Sequence, residues 1–179
     1  MDDLFTSPPV IGFAAYSGSG KTTLLTAMLP LLKAKGIRTG VIKHSHHNFE
    51  IDRPGKDSFL LRKAGALQML IASPFRTVLI REHYPETEPR LDHLLELLDR
   101  SALDLILVEG FRHVEFPKLE IHRTATQKPF LHPGDLSIIA LITDQIPATD
   151  LPCLDINNPV EVVSFIQDYI TSTQSGNSA

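Results

Sequence analysis

Apolar and polar positions follow two rhythms along this chain: short solid apolar runs, and stripes at helical spacing. Val10-Ile11-Gly12-Phe13-Ala14-Ala15 is a solid run, the mark of a strand covered on both faces. Thr22 to Leu29 carries a helical pattern, Pro30 should kink or interrupt it, and Gly36 marks its end. Ile37 to Lys43 reads as a second strand. A polar segment, His44 to Lys56, leads into a short helix around Asp57 to Ala64. Gln68 to Ala72 and Thr77 to Arg81 read as two strands around a Ser73-Pro74 turn. Leu91, Leu94, Leu95 and Leu98 form the buried stripe of a helix, and Leu103 to Val108 is another solid run. Leu119 to Arg123 alternates and reads as a more exposed strand, Ser137 to Ile142 as a buried one, and Leu151 to Ile156 as the last. Asn158-Pro159-Val160-Glu161 has the form of N-cap, N1 proline and N3 glutamate opening a final helix. Thr171 to Ala179 is polar and small, and is expected to be disordered. The alternation of strands with helices predicts an α/β fold in three layers around a mainly parallel sheet, with residues 1–170 as one domain.

The junction of the first strand and helix carries chemistry. Ala15-Tyr16-Ser17-Gly18-Ser19-Gly20-Lys21-Thr22 is a phosphate-binding P-loop in its proper strand–loop–helix setting, with Ala15 where glycine is usual. Gly18 and Gly20 let successive backbone N–H groups curl around phosphate oxygens. Lys21 reaches the β- and γ-phosphates, Thr22 offers its hydroxyl to Mg²⁺, and the helix dipole adds to the attraction.

Composition narrows the setting. A net charge of −4 argues against generic nucleic-acid binding. The single cysteine, Cys153, cannot form an intrachain disulfide; it fits a reducing cytoplasm and a small packed side chain better than catalysis. There is no basic leader, and no apolar run approaches the ~20 residues that cross a bilayer, so a cytoplasmic protein without membrane contact is expected.

Further candidates lie at strand ends. Leu105 to Gly110 looks like a Walker B element, with Glu109 delivered at a carboxyl edge near the P-loop to hold Mg²⁺ through water or orient an attacking water; a solvated charge is the plainer alternative. Asp52-Arg53-Pro54-Gly55 matches a loose nucleotide-switch pattern that is also good turn chemistry, and makes Asp52 a second candidate for the Mg²⁺ shell. Lys43-His44-Ser45-His46-His47 reads as a phosphate- or partner-contacting segment in preference to a transition-metal site, since His44 and His46 share one strand face and His47 points away. Asp144 ends a late strand where GTP-binding P-loop proteins carry a guanine-reading aspartate, although the usual asparagine and lysine are missing. Asp155 and Asn157 could make a second base-side contact; for both sites a turn or cap is at least as good a reading.

Taken together, Ser17 to Thr22, Lys43 to His47, Asp52-x-x-Gly55-Lys56-Asp57-Ser58 and Val108-Glu109-Gly110-Phe111 resemble the MobB family of GTP-binding accessory proteins in molybdopterin guanine dinucleotide biosynthesis, over roughly residues 9–170. The resemblance implies a P-loop α/β fold, GTP binding with weak GTPase activity, a homodimer, and work beside guanylyltransferase and molybdenum-insertion proteins. By position it implies that Ser17, Gly18, Ser19, Gly20, Lys21, Thr22 and Thr23 hold the phosphates, and that Asp52 and Glu109 serve the metal. No arginine adjoins the P-loop and Gln145 lies beside Asp144, so hydrolysis is expected to be slow. Two other classes remain open: a small-molecule kinase with a lid from Arg112, Lys118, Arg123 and Lys128, and a metal-delivery GTPase using the His44–His47 cluster.

Overall fold

The computed structural model describes residues 2–45 and 48–176. The chain separates into two compact units, residues 1–44 with 90–179, and residues 45–89.

The larger unit is built on a six-stranded sheet. Its strands are β1 (Val10–Ala15), β2 (Thr39–Lys43), β5 (Leu105–Glu109), β6 (Lys118–His122), β7 (Ile138–Thr143) and β8 (Cys153–Asp155). They lie in the order β2-β5-β1-β6-β7-β8, and every pairing is parallel. The solid apolar runs become its centre: Val10, Ile11, Leu105, Ile106 and Val108 have no exposed surface. On one face α1 (Lys21–Ala34) and α4 (Pro159–Gly176) pack Leu24, Met28, Leu32, Val162, Val163 and Ile166 onto β1, β6 and β7. On the other, Leu91 and Leu95 of α3 (Leu91–Glu96) join Ile42, Ile106, Phe111 and Phe116. No described helix is long and apolar enough to cross a membrane.

Three expectations change. α1 runs unbroken across Pro30, which lies on its exposed side. α4 continues to Gly176, so Thr171 to Gly176 are helical; their hydroxyls bond back into the helix, as from Thr171 to the Gln167 carbonyl at 3.0 Å and Ser175 to the Thr171 carbonyl at 2.9 Å. Residues 177–179 lie outside the described residues. The largest change is at β6, where all five residues are buried. Its alternation is real, but the polar face is covered by residues 123–137 and not by water. Lys118 Nζ donates to Asp135 Oδ2 at 2.8 Å, Ser137 Oγ at 2.7 Å and the Arg112 carbonyl at 3.0 Å. Glu120 accepts from the N–H groups of Leu131 and His132, and His122 stacks on Phe130. Buried polar groups persist only when so paired.

The other unit contains α2 (Asp57–Lys63) and a hairpin of β3 (Gln68–Ser73) and β4 (Arg76–Arg81). It has no buried residue among those described; its apolar side chains stand in the open, with Leu70 65 % and Phe75 95 % exposed. Its organising charge is Arg62, which binds Asp52, Glu50 and Glu82 together.

A bidentate clip joins the start of β2 to that of β5: Arg38 Nε and Nη2 donate to Asp104 at 2.9 and 2.7 Å, and the Arg38 N–H donates at 2.8 Å. The Arg38 guanidinium holds the Asp104 carboxyl down to about 2, against 3.8 ordinarily. A carboxylate whose pKa falls on folding stabilises the fold above its unfolded value and loses that contribution as pH falls through the folded one. Asp104→Asn should therefore lower the melting temperature at neutral pH by up to about 4 °C. The difference from the parent should vanish as pH is taken from 3.8 to about 2. Thermal melts of both proteins across that range check it.

Candidate nucleotide-binding site

β1 ends at Ala15 and α1 begins at Lys21, leaving a five-residue loop at the carboxyl edge of the sheet, where open α/β sheets bind ligands. Its shape depends on two left-handed residues, Gly18 at φ 83° and Gly20 at φ 87°. A side chain is strained in that region, and glycine is free of the penalty. Ser19 is buried and its hydroxyl donates to the Tyr16 carbonyl at 2.8 Å, closing the loop from within. Thr22 and Thr23 stand exposed in the first turn of α1. No side chain caps that helix start, so its amides stay available to an anion.

β5 brings Glu109 beside this loop through its parallel pairing with β1. Lys21 Nζ lies 2.9 Å from Glu109 Oε1, and Lys43 Nζ, at the end of β2, lies 3.7 Å from Oε2. The carboxylate is 14 % exposed, so the Lys21 pair is far less screened than a surface ion pair. Gly110 secures the turn that follows. It sits at φ 105°, and an added Cβ would lie 2.6 Å from the Cβ of His44. That close approach seats His44 on Phe111, with ring centroids 4.6 Å apart, and its N–H donates to the Glu109 carbonyl at 2.8 Å.

β6 supplies the other flank. A methyl group at Gly20 would lie 3.7 Å from both Nε and Nη2 of Arg123, and the Arg112 guanidinium lies 6.0 Å from the Tyr16 ring centre. Two arginines thus do adjoin the P-loop, contrary to the expectation from sequence; both are distant in sequence and arrive through the sheet. Asp144, just past β7, takes the N–H and hydroxyl of Thr124 on Oδ1, each at 2.8 Å, while Oδ2 lies 4.0 Å from Arg123 Nη1. The Thr124 N–H holds the Asp144 carboxyl below its usual range.

The remaining candidates are engaged as follows. Lys118 is unavailable for a lid, being buried with all three donors engaged. Asp52 belongs to the 45–89 unit, where the Arg62 guanidinium lies 2.6 Å from its carboxylate and holds it below the usual range. Asp155 Oδ1 accepts the Asn157 N–H at 2.8 Å, a turn contact. Glu161 donates its N–H to Asn158 Oδ1 at 3.3 Å, the expected cap of α4. His46 and His47 lie outside the described residues, among which no group of three metal-binding side chains gathers. A cavity of about 430 Å³ lined by Thr6, Pro9, Arg100 and Asp104 lies at the amino ends of β1 and β5, away from the P-loop edge.

For a metal ion the fitting groups are the Thr22 hydroxyl and the Glu109 carboxylate. Mg²⁺ in nucleotide sites is commonly held by one or two protein oxygens, with phosphate and water completing its shell, and the chemistry of these two groups matches that.

Comparison with known proteins gives a consistent answer. The family model described as molybdopterin guanine dinucleotide synthesis protein B matches residues 10–144. The molybdopterin-guanine dinucleotide biosynthesis adapter protein of Escherichia coli (strain K12) is 45% identical over 166 residues, which cover 92% of this chain and 95% of that one. The protein of the same description from Haemophilus influenzae is 40% identical, over 90% and 89% of the two chains. A crystal structure titled molybdopterin-guanine biosynthesis protein B superposes with a TM-score of 0.70 at 26% identity, covering 89% of this chain and 99% of that chain. Bacillus subtilis MobB, at 24% identity and a TM-score of 0.71, shares the fold over 89% of this chain and 96% of its own. With the matched segment running from the start of β1 through Asp144 and so taking in the P-loop, Glu109 and Arg123, this chain belongs to the MobB family.

Proposed function

We propose that this chain is a guanine-nucleotide-binding adapter in molybdopterin guanine dinucleotide biosynthesis, working with the guanylyltransferase and molybdenum-insertion proteins of that pathway in the cytoplasm. The observation that carries the nucleotide reading is the Lys21–Glu109 pair beside an open loop of glycine amides. In that reading the amides of residues 17–22 wrap the phosphates, and Lys21 turns from Glu109 to the β/γ oxygens. Thr22 and Glu109 hold Mg²⁺, which neutralises phosphate charge; Asp52 stays with Arg62. Lys43 balances Glu109 from the far side. Asp144 faces the base end and favours guanine, whose N1 and N2 are donors. The relatives' description as adapter proteins supports a role in passing intermediates between partners over a role as a dedicated hydrolase.

A homodimer is part of the reading. A two-stranded hairpin is at best marginal alone. Here the cross-strand pair Leu70 and Leu79 is exposed at 65 % and 46 %, an apolar face that suits a second copy of the chain. The kinase alternative loses Lys118 from its lid, and in the metal-carrier alternative His44 is stacked on Phe111.

Lys21→Ala should keep the fold and weaken GTP about 10–100-fold, the range for losing a charged hydrogen bond, measured by titration calorimetry with a melting curve as control. Unchanged affinity in the folded variant would refute the P-loop assignment. Glu109→Gln should retain GTP but lower apparent Mg²⁺ affinity in hydrolysis about 10–100-fold, as expected for a carboxylate acting on the ion through water. Replacing Leu70 and Leu79 together by Asp should give a monomer by sedimentation while leaving GTP affinity intact; a dimer that survives would place the interface elsewhere.

A further inference from the structure

Arg123 is brought to the P-loop by the pairing of β6 with β1 and by the turn that follows β6. β6 pairs in parallel with β1, Ala15 opposite Ile121, so the residues after the two strands run side by side. The Arg123 carbonyl is pinned by the N–H and hydroxyl of Thr126, at 2.9 and 2.8 Å. The next residue, Thr124, is pinned by Asp144. This backbone delivers the guanidinium to Gly20, 35 % exposed, with Asp144 Oδ2 4.0 Å from Nη1. That separation is at the outer limit of an ion pair, whereas Lys21 sits 2.9 Å from its carboxylate. A cation set against inward-curling amides and the positive end of α1 repels both until an anion lies among them.

The sheet order says which part of a nucleotide that anion would be. Lys21 and Glu109 occupy the β5 side of the loop, and Arg123 and Asp144 the β6–β7 side. A triphosphate with its γ end at Lys21 and Glu109 therefore extends its inner phosphates toward Arg123. We propose that Arg123 is a nucleotide-contacting residue whose guanidinium, steadied by Asp144, binds the α- and β-phosphates and leaves the γ-phosphate to Lys21. It bridges the phosphate loop and the base-side aspartate, where this chain lacks the usual asparagine and lysine. The inference rests on the nucleotide reading above.

The test measures GDP and GTP affinity, single-turnover hydrolysis and thermal stability for the wild-type chain, Arg123→Ala, Arg123→Lys and Lys21→Ala. Arg123→Ala should weaken GDP and GTP alike, about 10–100-fold, with melting temperature unchanged. Arg123→Lys should recover part of the loss, since a point charge replaces a fork. GDP affinity that survives Arg123→Ala would overturn the proposal. So would slowed hydrolysis with GDP affinity intact, which would make the guanidinium an arginine finger on the γ-phosphate. A loss matched by a fall in melting temperature, and not eased by lysine, would also overturn it by reducing Arg123 to packing. Weakening by Lys21→Ala alone would sink this inference and keep the nucleotide reading; a wild-type chain that binds neither nucleotide would sink both.

Discussion

β1 has solvent on neither face and a parallel neighbour on each edge, and everything at the carboxyl end of the sheet depends on that confinement. A register shift of one residue would turn every side chain to the opposite face and break the close packing on both. The loop that follows it is therefore fixed in space before any ligand arrives. Its neighbours carry their own carboxyl ends to the same edge, so residues from four distant parts of the chain converge on it: Lys43, Glu109, Arg123 and Asp144. None of them meets the others through local sequence; the parallel ladder brings them to one edge.

The charged interior of the sheet follows from the same arrangement. β6 lies between β1 and β7, where both faces must be covered, yet it presents Lys118, Glu120 and His122 on one of them. Leaving such groups unpaired would cost several kcal/mol each. The residues from 123 to 137 remove that cost by folding back as a polar lid, with Asp135, Ser137 and the amides of Leu131 and His132 as partners. That segment begins at Arg123, so the neutralisation of a buried strand and the placing of an arginine on the P-loop are one piece of construction.

This explains what the sequence made legible. Solid apolar runs such as Val10–Ala15 and Leu105–Val108 have one stable use, and the P-loop between the first run and its helix declares itself by spacing. Glu109 was visible because it follows a core run directly. β6 was visible as a strand but its burial was not, because alternation normally means one wet face, and nothing local to Leu119–Arg123 tells that residues a dozen positions later will cover it. The meeting of Arg123 with Gly20 was hidden for the same reason: the two are over a hundred positions apart, and the sequence offered Arg123 only as part of a kinase lid. The ion pair that Asp52 makes was equally out of sight, since a turn-like Asp-Arg-Pro-Gly says nothing of Arg62 ten residues on.

The pairing of Lys21 with Glu109 has a thermodynamic consequence. Each is the resting counter-ion of the other, so an anion that draws Lys21 away leaves Glu109 with a surplus negative charge that Lys43, 3.7 Å off and largely solvated, only partly balances. A divalent cation is the natural relief. A triphosphate and a cation bound in that way would help each other, and linkage requires the help to be reciprocal, by the same factor in either order. On the proposed nucleotide reading, an exchange of partners within one ion pair would make the loop cooperative towards the complex of nucleotide and metal.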